Sequence, residues 1–384
     1  MLPLIESGRR VSSHPAVLAL ADGTLFRGVS IGAEGHSLAT IVFNTAMTGH
    51  QEILTDPAYA GQIVVFTYPH IGSTGVNPVD AASDKARVSG VVVRDCPAVM
   101  SNFRATQSLP EYLAQEGVVA ISGVDTRKLT RHLREHGSQG ACILAGDDTE
   151  QAQALARQVA PHPDTHPVDD ATTSAPYSWS DGLQDLAGQQ IPAPSANYRV
   201  AVYDLGVRQS LLRDLVAQGC EVTVVPAGTP ASTVLAGKPD GVVLSGGPGD
   251  PARLTSLLAE CGSLIAAKVP LFGIGLGHQL LALSLGASGA RLKCGRRGIN
   301  HPVREVATGR VLITSQNYGD TILPDTLPDN VRVTHVSLFD GAVQGFELAD
   351  APVMGFLGFP EASPGPSDAR PLFQRFTDLM AANR

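Results

Sequence analysis

The 384 residues are 43% hydrophobic and 17% charged, enough apolar material for buried sheets and too much for a disordered chain. The length exceeds one ordinary core, so two domains are expected. A formal net charge of -8 with a pI near 5.7 leaves no basic footprint for nucleic acid or anionic lipid.

Five cysteines (Cys96, Cys142, Cys220, Cys261 and Cys294) are widely spaced, with no Cys-x-x-Cys pair. They point to neither a disulfide framework nor a zinc site, and no other metal site is expected. A reducing cytoplasm fits that usage. Met1 to Arg10 lacks the cationic-then-apolar pattern of a secretory leader.

In chain order, apolar runs at 16–20 and 24–29 flank Asp22-Gly23, the signal of a hairpin. Further short strands are expected at 40–43, 63–67 and 90–93. Asp125 N-caps a helix carrying Arg127, Lys128, Arg131 and Arg134. These elements form an α+β unit ending near Ala145, and the first domain is taken as 1–146.

Residues 147–197 turn to Pro, Asp, Thr, Ser and Gln, including Pro161-His162-Pro163-Asp164-Thr165-His166-Pro167, and show no sustained periodicity. A connector holding at most one short helix is expected there. Regularity returns over 198–384. Strands at 198–203, 221–225, 241–244 and 270–274 alternate with helices at 207–218 and 252–267, implying a parallel sheet with right-handed crossovers. The apolar window 269–290 has membrane length, but His278, Gln279 and several glycines identify it as a strand and a buried helix.

Residues 270–287 carry the most specific signal: a buried strand, a glycine-rich turn and an amphipathic helix, the local grammar of a nucleophile elbow. Ligands on such sheets bind beyond the strand carboxyl ends, where this turn falls. At its apex stands Gly275, which has no side chain.

The stretch Gly273-Ile274-Gly275-Leu276-Gly277-His278-Gln279 resembles the Gly-x-Cys-x-Gly-His-Gln motif of triad-type glutamine amidotransferases, differing only at the cysteine. Asn44-Thr45-Ala46-Met47-Thr48-Gly49, Thr67-Tyr68-Pro69-His70-Ile71-Gly72, Val124-Asp125-Thr126-Arg127-Lys128-Leu129-Thr130-Arg131 and Pro360-Glu361-Ala362-Ser363-Pro364-Gly365-Pro366 resemble the small subunit of carbamoyl-phosphate synthetase. The likeness runs from about residue 15 to the C-terminus. It implies an α/β protein: an N-terminal α+β small-subunit domain, then a triad-type (class I) glutamine amidotransferase domain with a central, mostly parallel sheet.

The resemblance also implies a function. Family members supply ammonia from glutamine to a large synthetase subunit, which makes carbamoyl phosphate from bicarbonate with ATP and feeds pyrimidine and arginine synthesis. ATP and Mg are expected on that partner, since this chain has no Gly-x-x-x-x-Gly-Lys-[Ser/Thr] loop and no cofactor of its own is expected.

Amide hydrolysis needs a nucleophile, a base, a group orienting the base and donors for the oxyanion. By resemblance Gly275 stands at the nucleophile position and Phe359 at the base position; Glu361 retains the triad acid. Glu361 has two readings, an orienting carboxylate without its imidazole or a cap for the following turn. The glutamine-contacting positions, again by resemblance, are Ala46, Gly247, Gly249, Leu276, Gln279, Asn317, Gly319 and Asp320. Ala46 replaces a serine and Asp320 an aromatic residue, and both changes are expected to weaken glutamine binding, Asp320 through an uncompensated charge.

Four departures on one reaction imply a lost glutaminase and a complex fed by free ammonia. The alternatives are a regulatory or scaffolding pseudoenzyme that binds glutamine or another partner, and an active glutaminase with unconventional residues. Cys294 is the nearest substitute thiol on the C-terminal side, with a buried structural role as its plainer reading. His278, His70 and His301 belong to framework blocks and are assigned no chemistry.

Overall fold

The computed structural model describes residues 14–160 and 167–384; Met1 to Arg10 and residues 161–166 of the connector lie outside the described residues. Seven strands close a barrel: β1 (Pro15–Leu20), β2 (Leu25–Ser30), β3 (His36–Asn44), β4 (Gln62–Phe66), β5 (Gly90–Val92), β6 (Val119–Ser122) and β7 (Gln139–Ala145). Their order is β1-β2-β6-β5-β4-β3-β7, with β7 returning to β1. The expected hairpin joins β1 to β2 through Asp22, whose carboxylate accepts from Thr24 N at 2.9 Å, and Gly23 at φ 92°.

Strand alternation divides the barrel's side chains. Leu18 and Leu20 join Ile41, Ile63 and Ile121 in one cluster, while Val17 and Ala19 face the other way. Helices α1 (His50–Thr55) and α2 (Leu109–Gln115) bury Leu54 and Leu113 against a further face. Helix α3 (Thr126–His136) starts where expected: Asp125 accepts from Lys128 N at 2.9 Å, and Leu129 and Leu133 are buried.

The 147–197 stretch corrects the expectation of a connector with at most one short helix. It holds α4 (Thr149–Ala156), α5 (Pro167–Ala171) and strand β8 (Tyr177–Trp179). Ala152 and Ala156, one turn apart, pack α4 on Val17, Ala19, Cys142 and Leu144. The elements are too short, and the buried alanines too small, to leave a periodic apolar signal.

The remaining strands are β9 (Tyr198–Asp204), β10 (Cys220–Pro226), β11 (Gly241–Leu244), β12 (Leu271–Ile274), β13 (Gly289–Glu305), β14 (Val311–Ile322), β15 (Val331–Ser337), β16 (Val343–Leu348) and β17 (Val353–Phe356). They form one sheet with β8, ordered β14-β13-β15-β16-β17-β12-β11-β9-β10-β8. The run β10-β9-β11-β12-β17 is parallel, with β8 added antiparallel at one edge and β16, β15, β13 and β14 extending the other.

Helices cover both faces of the parallel run, as crossover connections require. Helices α6 (Gln209–Ala217) and α10 (Pro371–Ala382) bury Leu215, Phe373 and Phe376 against Phe272 on one side. On the other lie α7 (Ala231–Ala236), α8 (Thr255–Ala266) and α9 (Leu276–Ser284), burying Val234, Leu264 and Leu281. The apolar window 269–290 is thus β12, α9 and the start of β13. Among the described residues no helix is long and apolar enough to cross a membrane.

The barrel meets the sheet along β13. Thr45 N donates to the Arg297 carbonyl at 3.1 Å, and Ser138 N to that of Lys293 at 3.4 Å. A cleft of about 420 Å³ opens beside this seam.

Two glycines test the packing with opposite signs. A Cβ at Gly277 would sit 2.2 Å from the Leu244 carbonyl oxygen, so Gly277→Ala must push α9 off β11 and cost roughly 1–3 kcal/mol. Gly262, inside α8, has open space around its missing Cβ, so Gly262→Ala gains about 0.5–1 kcal/mol. Urea midpoints of the two variants should move in opposite directions from the parent.

Candidate active site

Strand β12 ends at Ile274 and α9 begins at Leu276, leaving Gly275 to make the turn alone at φ 54°, ψ -111°, a backbone state L side chains rarely adopt. Gly275 N donates to Phe356 O on β17 at 2.9 Å, and Gln279 N returns to Gly275 O at 3.2 Å. A Cβ at Gly275 would find its nearest atom, Gly246 Cα, at 3.4 Å and Phe359 Cε1 at 3.9 Å. The elbow is therefore formed and has room for a side chain at its apex, with the Phe359 ring edge facing it.

Phe359 is buried, and its N–H holds Ser315 O at 2.9 Å. Over its ring, 3.7 Å from the centroid, lies the Arg208 guanidinium. A cation at that height over a phenyl face is attracted by the ring quadrupole. Arg208 also grips Glu361: its Nε and Nη2 donate to Oε1 at 3.0 and 2.5 Å, while Nη1 donates to Ser363 O at 2.6 Å. Both charged side chains are about 95% or more buried. Gly275, Phe359 and Glu361 thus lie close along one path, but the retained carboxylate answers to a guanidinium.

Sequence reasoning missed Arg208. It sits at the N-cap of α6, just past a turn in which Asp204 Oδ1 accepts from Gly206 N and Val207 N at 3.0 and 2.7 Å. The available signal was a lone arginine opening a helix after the β9 strand, a position where a cation opposes the helix dipole and calls for an acidic partner. A second carboxylate stands nearby, Asp56 Oδ2 at 3.9 Å from Nη1. Burial pushes the Asp56 pKa up, and Arg208 opposes that shift.

Seven of the eight positions aligned with glutamine contacts line the 420 Å³ cleft: Gly247 and Gly249 on one loop, Leu276 and Gln279 on α9, and Asn317, Gly319 and Asp320 on β14. Ala46 is apart from that lining, fully buried, with its N–H on Asn44 Oδ1 at 2.7 Å. Gly275, Phe359 and Glu361 are also outside its lining.

The expectation of an uncompensated charge at Asp320 is corrected. Arg291 Nε meets Asp320 Oδ1 at 2.5 Å and Arg291 Nη2 meets Asp250 Oδ2 at 3.3 Å. The partner arginine lies opposite Asp320 on the neighbouring strand, a pairing only the β13–β14 register reveals. The Asp320 backbone carbonyl accepts from Gln279 Nε2 at 2.6 Å, tying that side chain to the cleft wall.

No substitute catalytic pair emerges from the other candidates. The Cys294 thiol donates to Leu133 O at 3.1 Å, outside the groups around Gly275, and burial pushes its pKa up. Burial likewise raises Cys96 and Cys142 to about 11 and Cys220 and Cys261 to about 12, far from thiolates near neutrality. His278 is fully buried against Phe346, and burial pulls its pKa down to about 3. His301 is also held down by burial, to about 4, while His70 is exposed and bonded to Asp95 at 2.8 Å.

Comparison with known proteins places these features. The family described as carbamoyl-phosphate synthase small chain, CPSase domain, matches residues 18–143, and glutamine amidotransferase class-I matches residues 201–379. The carbamoyl phosphate synthase small chain of Pseudomonas aeruginosa is 52% identical over 97% of this chain and 100% of its own length. That of Pseudomonas putida gives the same identity and coverage. The Thioalkalivibrio sulfidiphilus small chain is 51% identical over 95% of this chain and 97% of its own. With the elbow, barrel and parallel sheet in place, this chain belongs to the carbamoyl-phosphate synthase small chain family.

Proposed function

We propose that this chain is the small subunit of a carbamoyl-phosphate synthase, docked to a large subunit, with its own glutamine-hydrolysing half-reaction lost. The assembled enzyme then takes its nitrogen from free ammonia. ATP and Mg, on this reading, are handled by the large subunit. The small subunit's task becomes holding its partner in a competent state.

The observation that carries the proposal is the set of contacts around Gly275. Attack on a carboxamide carbon requires an atom with a lone pair at the apex, and glycine offers only hydrogen. Proton transfer to departing ammonia requires a group that binds and releases a proton, and the facing residue is a phenyl ring. Glu361 has no imidazole to orient: its Oε1 is held by Arg208 through two hydrogen bonds, and its Oε2 is buried without a hydrogen-bond partner among the described residues. Knocking out triad members in comparable hydrolases costs up to about 10^6 in turnover, with little further loss once the first is gone.

The cleft favours loss of catalysis over loss of the whole site. Gly247, Gly249, Leu276, Gln279, Asn317 and Gly319 still line a ligand-sized space, so weak binding of glutamine without cleavage is compatible with the reading. Ala46 is fully buried and outside that lining, so the serine expected there by resemblance is not replaced at a position that lines the cleft.

Two predictions follow from these contacts. Purified with its large subunit, the protein should release no glutamate from glutamine above a protein-free control, and Gly275→Cys alone should leave that unchanged, because no base stands beside the new thiol. Glutamate release abolished by a thiol-blocking reagent would refute the proposal. Arg208→Ala should cost about 3–5 kcal/mol in urea unfolding by stranding the buried Glu361 charge. The double variant Arg208→Ala/Glu361→Gln should recover part of that loss; equal destabilisation of single and double variants would show that the ion pair is not the cause.

A further inference from the structure

A second cavity, of about 430 Å³, opens at the carboxyl end of β9 and shares no lining residue with the cleft. Three parts of the chain meet in it. The barrel contributes Pro57 and residues 83–85 and 87, the stretch from α5 to β8 contributes a turn and two aromatic rings, and the sheet contributes Asp204 and the start of α6. Junctions between domains, and the space beyond the carboxyl ends of parallel strands, are where small ligands bind.

One wall of the cavity is aromatic. Strand β8 pairs antiparallel with β10, setting Tyr177 opposite Val224 and Trp179 opposite Val222, so both rings stand on one face of this edge strand. Trp179 and Val207 pack against the core cluster that contains Leu212, while Tyr177 keeps 36% of its surface exposed.

The charge on the lining is set by Asp204. It is 5% exposed and accepts from Gly206 N, Val207 N and Thr173 N at 3.0, 2.7 and 2.8 Å, but among the described residues no cation pairs with it. Those donors hold its oxygens without bringing a formal positive charge, and a carboxylate withdrawn from water calls for one. Asp84 and Asp170 add two carboxylates to the lining, against Lys85 and Arg87. Arg87 is already engaged, by Asp84 Oδ1 at 2.7 Å and Ser83 Oγ at 3.1 Å. Burial, and after it the charges of Asp204 and Asp84, push the Tyr177 pKa up to about 12, so the phenol feels both carboxylates.

We infer that this cavity binds a small amphipathic organic cation, an alkylammonium or a guanidinium on a short apolar stem. The head lies between Asp204 and Asp84 against the Tyr177 ring, and the stem lies against Trp179 and Leu212. A cation on an aromatic face is attracted by the ring quadrupole, more strongly as water is excluded. The inference is independent of the fate of glutamine hydrolysis: none of these residues belongs to the elbow or the cleft, and its failure leaves that proposal untouched.

Trp179 is the only tryptophan in the chain, so its fluorescence reports on the cavity directly. The full chain is titrated with n-butylammonium, n-butanol and n-butyrate, which share a stem and differ in the head, and each titration is repeated by calorimetry. Butylammonium should bind saturably, change the Trp179 emission, and bind at least about tenfold more tightly than butanol or butyrate. Tyr177→Leu, which keeps an apolar surface and removes the ring, should weaken it roughly two- to fivefold. Asp84→Asn, at a side chain 72% exposed and therefore safe for folding, should weaken it by a similar factor. No saturable binding by either method, equal binding of the three heads, or unchanged affinity in both variants overturns the proposal.

Discussion

The grip of Arg208 on Glu361, with the Phe359 ring beneath it, is the interaction around which the centre of this protein is organised. A buried carboxylate must have a counter-charge. In a triad the carboxylate would hold an imidazole; in this chain the ring facing the apex has no nitrogen, and the guanidinium supplies both the charge and the donors. The same arginine reaches the Ser363 carbonyl and approaches Asp56 at the end of α1. One side chain therefore supplies the counter-charge to the retained acid, covers the phenyl ring and links the sheet to the barrel, while Glu361 Oε2 stays buried without a hydrogen bond.

That arrangement explains how a reaction can be lost without loss of the fold. The elbow's strain is met by glycine's conformational freedom, and its frame rests on packing rather than on a nucleophile: Gly277 against Leu244, Leu281 in the core, and Gly275 N on Phe356 O. Replacing a reactive side chain by hydrogen at such a turn relieves strain, since only glycine enters that region of backbone space at little cost. Family membership and catalytic competence are thus separable properties of the same chain. The first rests on the sheet and barrel; the second, on the proposed reading, on Gly275 at the elbow and on Phe359, whose ring faces it.

Much of this was legible in the sequence because local chemistry and global fold agree. Asp22-Gly23 made its turn, Asp125 capped α3, and the alternation beyond residue 198 produced the parallel run with the elbow at a strand's carboxyl end. What stayed hidden depends on contacts between distant residues. Arg208 and Glu361 are 153 positions apart, and nothing in either neighbourhood announces the other. Arg291 cancels Asp320 only through the register of two long strands, so the charge looked harmful until the pairing was seen. The α4 helix and β8 strand escaped because alanines and a three-residue strand carry almost no periodic signal.

The central claim is that nitrogen reaches the product without passing through Gly275. The most direct measurement supplies the chain and its large subunit with bicarbonate, ATP, glutamine labelled with ¹⁵N in its amide, and unlabelled ammonium, and reads the isotope in carbamoyl phosphate by mass spectrometry. The account predicts product that carries the unlabelled nitrogen alone, at a rate set by ammonium concentration. Label in the product before any free labelled ammonia accumulates would contradict it.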